Sequence, residues 1–364
     1  MASLHPIRWT VSLAIGFPLI LLLLAAAAAF THNSDFGRAV ARTARNVVAI
    51  ELVLLAMAAL AGMVYQARNV RRENALVHPP GQLVDVGGYR LHLYCTGSGS
   101  PTVVLDFGLD GSYLDWFYVQ PQIAEFARVC SYDRAGYGWS DSSSRPRLPS
   151  VMSEELHTLL ANAGEKPPYI LVGHSFGAFD VRMYAHKFPD EVAGLVLVDG
   201  SHPDELLPFY WQKKVWIRAM QYAMPFGLPR WRKWCGGGPS EAGSVRQAIG
   251  CRSKPFATHY RQWSAFPASA QEVRGLGTLG DLPLMVISRD PQRVPENPAD
   301  QLFEKREQHW KRLQLSLTQL SPNSTQVIAK GSDHSIPSAR PDVIVTAVRT
   351  LVENSRGQRK AADH

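Results

Sequence analysis

An α/β fold, with a mainly parallel sheet covered by helices on both faces, is the architecture predicted by this sequence of 364 residues. Three observations predict it. Short apolar runs recur at 102–107, 128–132, 169–172, 192–198, 284–288 and 325–328. Runs that are apolar throughout, rather than alternating, suit strands buried on both faces. Segments with helical spacing, such as 152–163, separate many of these runs, and strands alternating with helices build parallel sheets. A hydrophobic content of 46% is enough to fill the core that such a sheet needs.

The elements follow in chain order. Residues 11–30 carry no charge and would reach about 30 Å as a helix, the thickness of a bilayer's hydrocarbon core. A second run, 47–65, carries one charge, Glu51. Both are apolar all round, which predicts an N-terminal transmembrane helical hairpin over 1–76, with Arg38, Arg42 and Arg45 in the intervening loop. The alternative for the first run is a cleaved signal peptide, since Arg8 precedes it and an alanine-rich stretch ends it. The arginines of the outer flanks lean toward both ends being cytoplasmic. Cys95, Cys130, Cys235 and Cys251 lean the other way if they form two pairs; four buried thiols are the alternative reading, and the side of the membrane stays open.

After a Val-His-Pro-Pro-Gly linker at 77–81, a Gly87-Gly88 turn between two short apolar runs predicts a β-hairpin, an antiparallel start to the sheet. Residues 77–201 and 282–352 then form the two parts of the core. Between them, 202–281 breaks the rhythm: it holds Trp211, Trp216, Trp231, Trp234 and Trp263 and reads as a helical lid inserted between two strands. Residues 353–364 are polar and read as a frayed tail. The net charge of +7 comes largely from arginines near the apolar runs and at the C-terminal end. Membrane-flanking charge explains it, and no basic-aromatic nucleic-acid motif is present.

The chemistry centres on Gly173-His174-Ser175-Phe176-Gly177, which follows one apolar run and precedes a helical segment. A serine in Gly-x-Ser-x-Gly between strand and helix is a nucleophile elbow: small residues let the backbones approach, and the turn lifts the serine hydroxyl above the strand ends. The Phe176 N–H then lies at a helix N-terminus, where an oxyanion can be held. A second donor must come from the loop after an earlier strand; Gly108 permits close approach there and Leu109 supplies the N–H.

A serine hydroxyl needs a base, and the base needs a carboxylate. Asp290 follows the 284–288 run and His334 follows the 325–328 run, which gives the order Ser, Asp, His at successive strand ends. Asp290 is therefore the expected acid and His334 the expected base. Asp199, at the end of the 192–198 run, is the competing acid. Asp333 reads as a loop-forming residue, and His174 as packing under the elbow.

This order resembles the α/β-hydrolase superfamily across roughly residues 81–352, and the segment from Tyr132 through Asp141 is similar to the superfamily's structural loop after the fourth strand. The resemblance implies Ser175 as nucleophile, His334 as base, Asp290 as acid, Leu109 and Phe176 as oxyanion donors and 202–281 as lid. Many relatives carry His-Gly where this chain has Phe107-Gly108, and serine at the elbow argues against dehalogenase or epoxide hydrolase chemistry. The expected activity is serine-dependent hydrolysis of a carboxylic ester or related acyl bond. It needs no metal or organic cofactor. The aromatic insertion suggests a small-molecule acyl substrate with apolar or aryl character, and the N-terminal anchor implies membrane lipid as a partner. A ligand-binding or signalling module on the same fold, with little turnover, is the alternative.

Overall fold

The computed structural model describes residues 35–207, 210–236, 241–290 and 298–362. The chain divides into two units, Met1–Ala67 and Arg68–His364. In the first, the described residues begin a helix, α1 (Asp35–Leu76), that is long and apolar enough to cross a membrane. This corrects the expected position of the loop. Arg38, Arg42 and Arg45 lie within α1 rather than in a loop, and the second apolar run is part of the same helix. The first apolar run, 11–30, lies outside the described residues, so a two-span anchor has no support here.

The second unit is built on an eight-stranded sheet of order β1-β2-β4-β3-β5-β6-β7-β8. The strands are β1 (Gln82–Asp85), β2 (Arg90–Thr96), β3 (Thr102–Asp106), β4 (Val129–Asp133), β5 (Tyr169–His174), β6 (Val192–Val198), β7 (Leu284–Asp290) and β8 (Ser324–Lys330). All eight coincide with the runs picked out in the sequence. β1 and β2 form the antiparallel hairpin, β2 pairs antiparallel with β4, and every later pair is parallel.

Strand alternation divides the core into two layers. Val104, Leu171, Leu195 and Leu197 point to one face, under α3 (Pro149–Asn162) and α4 (Gly177–Lys187). Val103, Leu105, Ile170, Val172, Val196 and Val198 point to the other, where α2 (Gln120–Ala124) and α11 (Pro341–Ala362) pack. Burial on both faces is why these strands read as unbroken apolar runs. α11 also corrects the expected frayed tail. The helix continues to Ala362, and Arg356 is tied to the carbonyls of Ser100 and Phe126, each at 2.9 Å.

Four helices lie between β6 and β7: α5 (Tyr210–Ala223), α6 (Leu228–Trp231), α7 (Glu241–Gly250) and α8 (Ser253–Arg274). Two further helices, α9 (Pro298–Leu317) and α10 (Ile336–Ala339), flank the last strand. The cysteines form two disulfides. Cys95–Cys130 links β2 to β4, and Cys235–Cys251 closes a loop of the insertion.

The loop after β4 joins core to insertion. Asp133 accepts from the Tyr113 and Trp139 amides and meets His92 Nδ1 at 2.8 Å. Lys254 of α8 donates to the carbonyls of Gly138 and Ser140, and Tyr137 Oη donates to Gln262 at 2.8 Å.

Candidate active site

The elbow is as tight as its glycines imply. A β-carbon on Gly173 would lie 2.5 Å from the Gly177 carbonyl oxygen, and one on Gly177 would lie 2.6 Å from that of Asp106. Ser175 itself sits at φ 51°, in the left-handed region that non-glycine residues rarely occupy. Bonds on both sides hold it there: its N–H donates to the Val198 carbonyl, and its carbonyl accepts from the Ala178 and Ser201 amides.

Ser175 Oγ lies 2.9 Å from His334 Nε2, and His334 Nδ1 lies 2.6 Å from Asp199 Oδ2. The carboxylate that meets the imidazole is therefore Asp199, not Asp290. Asp290 lies at the end of β7, where alternation turns its side chain away from that of Arg289, and it pairs with Lys311 at 2.8 Å. Arg289 faces the site instead. It donates to Asp199 from its backbone N–H and from Nη1, while its other guanidinium nitrogens hold Glu307. Trp310 Nε1 adds a further donor to Asp199 Oδ1 at 2.7 Å.

The electrostatics follow from these contacts. Burial alone would raise the Asp199 carboxyl. The hydrogen bond and charge of His334, then Arg289 and Trp310, outweigh it and hold the group below its ordinary range. His174 is driven the other way, down to about 4, chiefly by burial and then by the charge of His334. A neutral His174 donates from Nε2 to the His334 carbonyl at 2.9 Å, which steadies the loop carrying the imidazole. Glu205, on the segment after β6, is pushed up to about 7, first by burial and also by Asp199; the His202 amide, Ser201 and His334 oppose the shift. Asp333 accepts from the Ser335 amide, a loop-forming contact.

Leu109 follows Gly108, whose α-carbon approaches the elbow so closely that a β-carbon there would be 3.0 Å from Ser175 Cβ. The Gly108 carbonyl accepts a hydrogen bond from Arg134 Nη2. Because C=O and N–H point oppositely across a trans peptide, the Leu109 N–H faces away from Arg134. Among the described residues, neither the Leu109 nor the Phe176 amide has an internal acceptor.

Arg134 is buried, and its Nη1 also bonds to Asp106 and Asp180 at 2.9 and 2.8 Å. It thus ties the end of β3, the Gly108 loop and the elbow helix together. The Phe107 ring packs against its guanidinium at 4.1 Å. Asp106 is raised to about 6 and Asp180 well above its ordinary value, by burial above all; the charge of Asp106 adds to the shift of Asp180, and Arg134 opposes both.

Among the described residues, the one cluster with metal-ligand proximity is Cys95, Cys130 and Glu165, and the disulfide removes both thiolates from it.

Sequence reasoning named Asp199 only as a competitor, and it missed Arg289, Trp310, Arg134 and Glu205. The available signal was the strand-end position of Asp199, which Asp290 shares.

Comparison with known proteins agrees with this geometry. A family model described as alpha/beta hydrolase fold matches residues 101–235, which include both the Gly108 loop and the elbow. The uncharacterized Bacillus subtilis proteins YbdG and YqjL are 29% and 27% identical over 169 and 253 residues. The matches cover 44% and 69% of this chain, and 52% and 83% of those proteins, so the chain spans about half the length of YbdG. A thermophilic esterase from Thermogutta terrifontis shares the fold with a TM-score of 0.55 at 18% identity, covering 75% of this chain and 98% of the esterase. The sheet order, the elbow and the family model agree that the chain has the α/β-hydrolase fold.

Proposed function

We propose that the protein is a serine hydrolase that cleaves a carboxylic ester, or a related acyl bond, through an acyl-enzyme. The fold supports a hydrolase. The observation that carries the finer reading is the unbroken relay from Ser175 Oγ through His334 to Asp199, at 2.9 and 2.6 Å. In this reading His334 Nε2 takes the Ser175 proton as Oγ bonds to the substrate carbonyl carbon, and Asp199 stabilises the imidazolium. The developing oxyanion accepts from the Leu109 and Phe176 amides. Collapse of the tetrahedral adduct breaks the bond to the leaving alcohol, which takes the proton from His334. Water, deprotonated by the same imidazole, then attacks the acyl-enzyme and releases the acid and Ser175.

Turnover of a panel of acyl esters of graded chain length, wild type against Ser175→Ala, tests the proposal. Multiple turnover by the wild type and none by the variant is expected. Tight binding of one ester with no turnover by either protein would favour the ligand-binding alternative.

A further inference from the structure

Helices on the surface of a folded domain turn an apolar stripe inward and a polar one outward. α5 departs from that rule. Ile217 and Met220 form its buried stripe, yet Trp211, Val215 and Tyr222 lie on its outer side, exposed by 68, 67 and 63%. The departure continues past the helix, where Phe226, Leu228, Trp231 and Trp234 are exposed as well. Apolar exposure on this scale marks an interaction surface.

The charge of the same stretch indicates what it meets. Between Glu205 and Glu241 the chain has six Lys or Arg residues and no Asp or Glu. Cations stand beside the exposed rings: Lys214 is 4.8 Å from the Trp211 ring centre, Arg218 is 5.7 Å from that of Tyr222, and Arg232 is 5.4 Å from that of Trp234. Tryptophan and tyrosine interleaved with lysine and arginine suit a membrane–water interface. The rings sit at headgroup depth there, and the cations meet anionic lipid phosphates.

Continuity with α1 points to the same partner. The buried Arg230 guanidinium grips Glu73 with two hydrogen bonds, and Arg252 donates to Asn74 at 2.6 Å. Eight peptide units link Tyr65, the end of the apolar run, to Glu73. Even fully extended they reach only about 28 Å, so the insertion is tethered close to wherever the run enters a bilayer.

We propose that this outer face of the insertion docks on a bilayer containing anionic phospholipid. A cavity of about 230 Å³ lies beneath it. Trp216 and Trp234 line both the cavity and the exposed face, and Asp110, which follows Leu109, is also part of the cavity lining. Docking therefore opens the cavity at the lipid surface. The inference does not depend on the chemistry proposed for Ser175.

The test uses the full chain in vesicles. Its four cysteines are paired, so Val215→Cys introduces a single thiol for a nitroxide. Leu315→Cys, on α9 and 56% exposed, is the control site. Collision with oxygen, which concentrates in lipid, is compared with collision with a water-soluble nickel complex. In phosphatidylcholine vesicles containing phosphatidylglycerol, the label at 215 is expected to be oxygen-accessible and nickel-shielded, and the label at 315 nickel-accessible. Adding Lys214→Glu and Arg232→Glu should return the label at 215 to nickel while thermal unfolding stays unchanged. Three results would overturn the proposal: nickel access at 215 in anionic vesicles, equal depth in pure phosphatidylcholine, or shielding from both reagents, which would indicate a protein surface such as a second copy.

Discussion

Replacing Asp199 by Asn should disable the enzyme while leaving the fold nearly intact. The side chain is fully buried and receives four donors: His334 Nδ1, the Arg289 backbone N–H, Arg289 Nη1 and Trp310 Nε1. An amide cannot satisfy all four. With its NH2 toward His334, it forces Nδ1 to accept, which leaves the proton on Nε2 and removes the base from Ser175. With its carbonyl toward His334, the NH2 confronts Trp310 and the Arg289 N–H, and the charge that steadies an imidazolium is gone in either case. Loss of the carboxylate from such a relay costs about 10⁴ in kcat, or about 5.4 kcal/mol at 1.36 kcal/mol per tenfold. Asp290→Asn is the matched comparison. Its partner Lys311 is 54% exposed, and exposed pairs of this kind contribute about 0–1 kcal/mol. Steady-state hydrolysis of a chromogenic ester by both variants, with circular dichroism to confirm folding, measures the difference. Near-normal turnover by Asp199→Asn together with collapse in Asp290→Asn would refute the assignment of the acid.

Three more outcomes follow from the same contacts. Arg134→Met leaves Asp106 and Asp180 buried without their cation and should lower stability by about 3–5 kcal/mol; chemical denaturation should show a smaller loss at pH 5 than at pH 8, where the carboxylates cannot take up protons. Gly177→Ala pushes a β-carbon to 2.6 Å from the Asp106 carbonyl oxygen; displacement of the neighbouring oxyanion loop should reduce kcat by about 10², with little change in the far-ultraviolet spectrum. Glu205 has a folded-state value near 7 against an ordinary 4.5, so the folded protein holds a proton that the unfolded chain releases. Stability should therefore fall as pH rises from 4.5 to 7, and Glu205→Gln should flatten that slope in a series of thermal melts; an unchanged slope would contradict the environment described for Glu205.

Much of this molecule can be read from the chain before any coordinates are considered. Strands buried on both faces, such as Ile170-Leu171-Val172, announce themselves as unbroken apolar runs, and the steric demands of the elbow leave Gly173 and Gly177 few substitutes. The acid was harder for a definable reason. Asp199 and Asp290 both end strands, and choosing between them requires knowing which way each side chain points and that Arg289 and Trp310 converge on Asp199. Those are tertiary contacts from β7 and α9, with no local mark. The loop expected around 38–45 went wrong over a signal that was present: Arg38, Arg42 and Arg45 fall at i, i+4 and i+7, the spacing of one helix face, and the structure continues the helix through them. The polar C-terminal end misled in a similar way. Val345, Val348, Leu351 and Val352 supply a buried stripe for α11, and the polar residues after it extend the helix outward.

The central claim is that Ser175 Oγ is made nucleophilic by His334. Reaction of the full chain with a fluorophosphonate, followed by mass spectrometry of the peptides, tests it most directly. The account predicts a single adduct on Ser175, formed rapidly by the wild type and about 10³–10⁴-fold more slowly by His334→Ala. An adduct on another residue, or labelling of Ser175 at the same rate without His334, would contradict it.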